Sequence, residues 1–199
     1  MNAEKDTFAG ARVGMWLFIA TEFILFGGLF LLYSMYRLTH PADFHAGSTE
    51  LSRFFGTLNT CILITSSLTV ALAILFLREG RIKAAAAYLL ATIGFGCGFL
   101  IVKAFEWTAK FHHGLFPGAA HLLGLPKGEI LYFGLYYMMT GLHALHVIVG
   151  IVVLSVMLGR VLRGTVNASR PVYLMNAGLY WHLVDIIWIF LFPLFYLIT

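Results

Sequence analysis

Charge is scarce in this chain of 199 residues: Asp, Glu, Lys and Arg make up 11% of it, where an ordinary soluble domain carries about 25%. So few ionic groups cannot clothe a water-soluble globule, and lipid must supply most of the solvent. Cysteine is almost absent, with Cys61 and Cys97 in separate apolar runs. That excludes a disulfide scaffold and a Cys-x-x-Cys redox or metal motif, and both read as small, inert core residues. The formal net charge of +4 is scattered rather than striped, which argues against nucleic acid as a partner. Phosphate-cradling glycine loops and nucleophile-elbow patterns are missing too, so independent nucleotide or hydrolytic chemistry is not expected.

Hydrophobic residues fill the space, at 60% of the chain with 16% aromatic. Five runs, residues 14–36, 57–77, 84–107, 131–158 and 176–198, reach the roughly 20 apolar residues that span a bilayer. The expected fold is all-α, a polytopic bundle of five transmembrane helices forming one domain over residues 1–199. Residues 78–83 read as a tight hydrophilic turn, and 37–56 and 108–130 as longer connections. The first run is too long for a signal-peptide core, and an uncleaved first helix is expected.

Lys5, Arg12, Arg78, Arg81, Lys83, Arg160, Arg163 and Arg170 fall on one side of these spans, against Arg37, Arg53, Lys110 and Lys127 on the other. The bias predicts the N-terminus inside and the C-terminus outside. Arg78, Arg81, Lys83, Arg160 and Arg163 are also candidates for anionic lipid headgroups, although orientation alone accounts for them equally well.

The polar residues inside the runs carry the functional argument. At about 1.5 Å per residue, Glu22, Ser67, His146, His182 and Asp185 fall in one layer roughly 9–18 Å from the inner surface. Lipid cannot hydrogen-bond a carboxyl or imidazole, so such groups must satisfy one another or a partner. A network of Glu22, His143 or His146, His182 and Asp185 is therefore expected in the inner half of the bundle. Glu22 could relay protons or serve as a buried structural donor. The His-x-x-His spacing of His143 and His146 invites metal or haem ligation, but the same imidazoles serve as partners for the carboxyls, and no metal is assigned. Lys103 and Glu106 can pair at i, i+3. His112, His113 and His121 read as solvated loop residues. Gly27, Gly28, Gly94, Gly96, Gly98, Gly141 and Gly150 suggest close helix contacts. Trp16, Trp107 and Tyr132 suggest interfacial anchors, and Pro193 a bend.

Read together, these motifs resemble subunit III of the haem-copper respiratory oxidases. The likeness rests on residues 15–26 (MWLFIATEFILF), Asn59-Thr60 with Ser66-Ser67, Glu106-Trp107, residues 140–150 (TGLHALHVIVG) and residues 180–188 (YWHLVDIIW), and covers all five spans. Without two N-terminal helices of the seven-helix members, the chain resembles the short bacterial form. The resemblance implies an accessory subunit of an oxidoreductase in the bacterial cytoplasmic membrane, lying beside the catalytic subunit I and subunit II. Haem and copper would reside in those partners and none in this chain, which would bind structural phospholipids and support assembly and proton uptake. Glu22 would be the family's reactive buried carboxyl, with His143, His146, His182 and Asp185 holding the bundle, so that Asp185→Ala would damage assembly more than oxygen chemistry. A quinol oxidase subunit, or the related accessory protein of nitric oxide reductase, fits the same motifs. A free-standing transporter or haem protein is the reading from another class.

Overall fold

A computed structural model describes residues 2–168 and 171–197, with side chains from Gly10 onward. The chain forms α1 (Asn2–Thr39), α2 (Pro41–Thr49), α3 (Arg53–Arg78), α4 (Ile82–His112), α5 (Ala120–Leu123), α6 (Lys127–Leu162) and α7 (Val172–Phe192), and ends in a π-helical turn, Pro193–Leu197. Five of these are long and apolar enough to cross a membrane: Gly10–Thr39, Arg53–Arg78, Ile82–His112, Lys127–Leu162 and Val172–Leu197. No strand occurs among the described residues.

Both longer connections contain more helix than their His, Pro and Gly content suggested. Pro41 opens α2 in the first turn, where a missing N–H costs nothing, and Asp43 of α2 accepts a hydrogen bond from the Gly128 N–H at 3.1 Å. The turn between α3 and α4 is as tight as expected. Gly80 adopts a φ of 75°, the Gly80 N–H reaches the Leu77 carbonyl and the Arg81 N–H the Phe76 carbonyl. These bonds satisfy carbonyls that the end of α3 would otherwise orphan.

α7 is the most buried of the spans. Its Trp181 ring lies between α4 and α6 at the two points where those helices carry Gly96 and Gly150, and a Cβ at either would come within 2.7 Å of the ring. The Trp181 indole N–H donates to Ser66 Oγ at 2.9 Å, tying α3 to the same centre. Gly141 also faces a neighbour, Trp107, but Gly27, Gly28, Gly94 and Gly98 have open space where a Cβ would go. Composition shows that a residue is small; its azimuth on the helix decides whether another helix uses the gap.

Two further expectations are corrected on the same ground. Cys61 and Cys97 are exposed on the outside of their spans rather than packed in the core. Trp16 is exposed and Trp107 half-buried against Tyr137, but Tyr132 is wholly buried rather than an interfacial anchor. The Tyr132 hydroxyl donates to the Phe195 carbonyl at 2.8 Å, and Tyr33 of α1 donates to the Leu194 carbonyl at 2.6 Å. Pro193 has no N–H for the helical ladder, the chain widens into the π turn, and tyrosines from two other helices take up the terminal carbonyls. Tyr33→Phe and Tyr132→Phe should each lower stability by about 0.5–1 kcal/mol, seen as an earlier midpoint when mixed micelles are titrated with denaturing detergent. Unchanged midpoints would show that the carbonyls find substitutes.

Candidate functional site

Most of the ionisable residues inside the spans fall into three groups. In the first, α1 and α6 meet where Glu22 Oε2 stands 3.1 Å from His146 Nε2, both side chains largely buried. His146 Nδ1 lies 2.8 Å from the Leu142 carbonyl. A carbonyl only accepts, so Nδ1 carries a proton and Nε2 is left to face Glu22. The contact is favourable when one proton is held between the two groups, as a carboxylic acid against neutral imidazole or a carboxylate against imidazolium. Phe26 and Tyr180 pack around the imidazole.

The second group is on α3 and α7. Ser67 Oγ lies 2.7 Å from His182 Nδ1. Asp185, one turn further along α7, is 3% exposed, and among the described residues neither carboxyl oxygen has a formed hydrogen bond. All three residues line a groove of about 440 Å³ between the two helices.

The third group is the most completely connected. Lys103 Nζ lies 3.1 Å from Glu106 Oε2 and donates to the hydroxyls of Tyr136 at 3.0 Å and Tyr196 at 2.6 Å. Those hydroxyls in turn donate to Glu106 Oε1, at 2.9 and 2.6 Å. The ammonium also sits over the rings of Tyr136, Trp188 and Tyr196, a placement that stabilises a cation away from water. Three spans, α4, α6 and the turn after α7, are joined in this way. The i, i+3 spacing gave away the ion pair. Its two tyrosines were missed, although a buried pair needs further donors and aromatic hydroxyls are the ones that an apolar run can carry. Nearby, Lys110 donates to the Glu50 carbonyl and ties α4 to the segment between α2 and α3.

The structure thus brings Glu22 to His146 and places His182 near Asp185, but does not join the pairs into one network. His143 belongs to neither. It is fully buried between Phe99 and Trp188, and among the described residues neither ring nitrogen has a hydrogen-bond partner. Counting residues along each helix locates a group's height but not its direction. His146 turns toward α1, whereas His143 turns toward α4 and α7. Asp185 Oδ1 and Oδ2 make no geometrically formed hydrogen bond among the described residues, and the Ser67 hydroxyl is the polar group nearest to reaching the carboxyl. No three His, Cys, Asp or Glu side chains converge as metal ligands among the described residues.

His112, His113 and His121 are exposed. The basic residues considered for lipid headgroups are exposed at one end of the bundle. Arg78 Nη2 rests on Met175 Sδ at 3.0 Å, and Arg81 pairs with Glu79 over the Phe76 ring. Lys83, Arg160 and Arg163 share that end; Arg170 and the side chain of Lys5 lie outside the described residues.

Comparison with known proteins places this geometry. Residues 3–199 match the family described as cytochrome c oxidase subunit III. A heme-copper oxidase subunit I+III of Aeropyrum pernix is 33% identical over 193 residues, covering 94% of this chain and 22% of that longer one. Cytochrome c oxidase subunit 3 of Thermostichus vulcanus is 31% identical over 188 residues, 94% of this chain and 87% of the relative. A probable quinol oxidase subunit 3 of Staphylococcus saprophyticus is 30% identical over 190 residues, 94% and 88%. With five spans and a match over nearly its whole length, the chain is a multi-pass membrane protein and belongs to the cytochrome c oxidase subunit III family.

Proposed function

We propose that this chain is the non-redox accessory subunit of a proton-pumping haem-copper terminal oxidase of the cytochrome c oxidase type. It folds as one domain in the bacterial cytoplasmic membrane, N-terminus inside and C-terminus outside, against the catalytic subunit I and subunit II. The observation that carries the reading is the family match over residues 3–199. One relative is a heme-copper oxidase subunit I+III, named for both subunits in a single chain, which supports direct contact between the two. Haem and copper belong to the partners, and phospholipids are structural companions held partly by Arg78, Arg81, Lys83, Arg160 and Arg163.

The Glu22–His146 pair fits a supporting part in proton uptake, because it sets a carboxyl 3.1 Å from an imidazole inside the membrane. Glu22→Gln should leave the bundle and its partners in place while slowing turnover under load. Unaltered turnover would assign the pair to structure alone.

A second reading, subunit III of a quinol oxidase, draws support from relatives named for quinol oxidases at comparable identity, including one of Pseudomonas putida at 27%. One purification addresses both. The tagged chain, taken from native membranes in mild detergent, should bring down a haem-containing catalytic subunit in stoichiometric amount. Oxygen consumption with reduced cytochrome c or with quinol then identifies the donor. A chain recovered alone, or with haem bound to itself, would defeat the accessory-subunit reading.

A further inference from the structure

The groove between α3 and α7 has an unused acceptor. Its wall is apolar, formed by Leu63, Ile64 and Leu68 on one side and Ile186 and Ile189 on the other, and interrupted by Ser67, His182 and Asp185. A second cavity of about 320 Å³ shares Ala71 and His182 with it and runs on to Leu75, Met175 and Arg78. Sharing these two residues, the cavities follow one another along the helix pair. Each volume falls in the range of small-molecule sites, roughly 300–1,000 Å³.

Depth decides what can lie there. From Arg78 at the end of α3 to Ser67 is roughly 16 Å at the helical rise, so the polar trio stands deep in the hydrocarbon. A phospholipid presents only acyl carbon at that level and cannot satisfy Asp185. The carboxyl is nearly inaccessible, lines the groove, and among the described residues has no formed hydrogen bond on either oxygen; the one hydroxyl beside it, Ser67, is engaged with His182 at 2.7 Å. A group so placed is costly unless a partner reaches it.

We infer that the α3/α7 groove is a binding site for a long-chain amphiphile whose hydroxyl donates to Asp185 beside His182, with its chain lying along the groove toward Ala71 and Arg78. A prenylated hydroquinone and a long-chain alcohol share this chemistry. Two adjoining cavities of about 440 and 320 Å³ suit such a molecule better than the inserted side chain of another helix, which would fill one of them at most. This goes beyond the accessory-subunit reading and does not depend on it.

The test uses the full chain in nanodiscs of phosphatidylcholine and a decylhydroquinone carrying a diazirine on its tail, with its dimethyl ether as control. Labelling should map to peptides containing Ile74, Leu75, Met175 and Leu179, which line the part of the groove that the chain would occupy. The ether should label about tenfold less, as the loss of one hydrogen bond to a buried carboxyl predicts. Asp185→Leu should bring the hydroquinone down to the level of the ether. Ala71→Trp, which narrows the groove while leaving Asp185 itself in place, should also reduce labelling and keeps the test valid if the first variant does not fold. Competition by unlabelled decylhydroquinone or by hexadecanol distinguishes the two sources, and either supports the site. Equal labelling by hydroquinone and ether, or labelling indifferent to Ala71→Trp, would show that the groove holds bulk acyl chains and overturn the proposal.

Discussion

Lys103→Met should cost the bundle about 3 kcal/mol, because it leaves the Glu106 carboxyl, 2% exposed, without its cation in a low-dielectric interior. The two tyrosine hydroxyls remain as donors to Glu106 Oε1, but they carry no charge to offset the carboxylate. Changing both members distinguishes the unpaired charge from other effects. In Lys103→Met/Glu106→Gln the amide carbonyl still accepts from Tyr136 and Tyr196 and no buried charge is left. Most of the lost stability should return, since replacing a buried ion pair with neutral groups is often close to neutral. Denaturing-detergent titration of the three variants gives the comparison. Limited proteolysis at the C-terminus should show the turn after Phe192 released in the single variant and protected in the double. A double variant no more stable than Lys103→Met would mean that the ammonium matters as packing and hydrogen-bond donor rather than as counter-charge.

How much of this was legible beforehand depended on the kind of information each feature needs. Five spans followed from run length alone, and the Lys103–Glu106 pair from spacing on one helix. Counting along the helices puts Glu22, His146, Ser67 and His182 in one layer, and in the structure Glu22 stands beside His146 and Ser67 beside His182. What failed was direction around the helix axis. His143 and His146 are three residues apart, close enough to be read as one face, yet α6 is contacted on different sides by α1, α4 and α7, and each imidazole meets a different neighbour. The same uncertainty made Tyr132 look like an anchor and Cys61 and Cys97 like core. In a soluble helix an apolar stripe marks the inward face. In a membrane span both lipid-facing and protein-facing residues are apolar, and the stripe that would have settled each direction is absent.

The glycines show where that missing information lies, and they support a second large effect. Trp181→Ala should destabilise the bundle by roughly 3 kcal/mol or more, since a large side chain leaves a cavity at the meeting point of α3, α4, α6 and α7 and the Ser66 hydroxyl loses its indole donor. Gly96→Ala should cost about 1–3 kcal/mol alone, because its methyl would meet the Trp181 ring at 2.7 Å with Ile151 close behind. The two changes should not add. With the indole gone, the methyl at residue 96 points into the vacated space, so Gly96→Ala in the Trp181→Ala background should be neutral or mildly stabilising. The coupling should be about 1–3 kcal/mol, as for residues sharing one cavity. Gly94→Ala, facing open space, is the matched control and should behave alike in both backgrounds. Additive losses at residues 96 and 181 would mean that the α4 backbone withdraws from the ring, and that the fit of Trp181 between two glycines is not what sets the spacing of these helices.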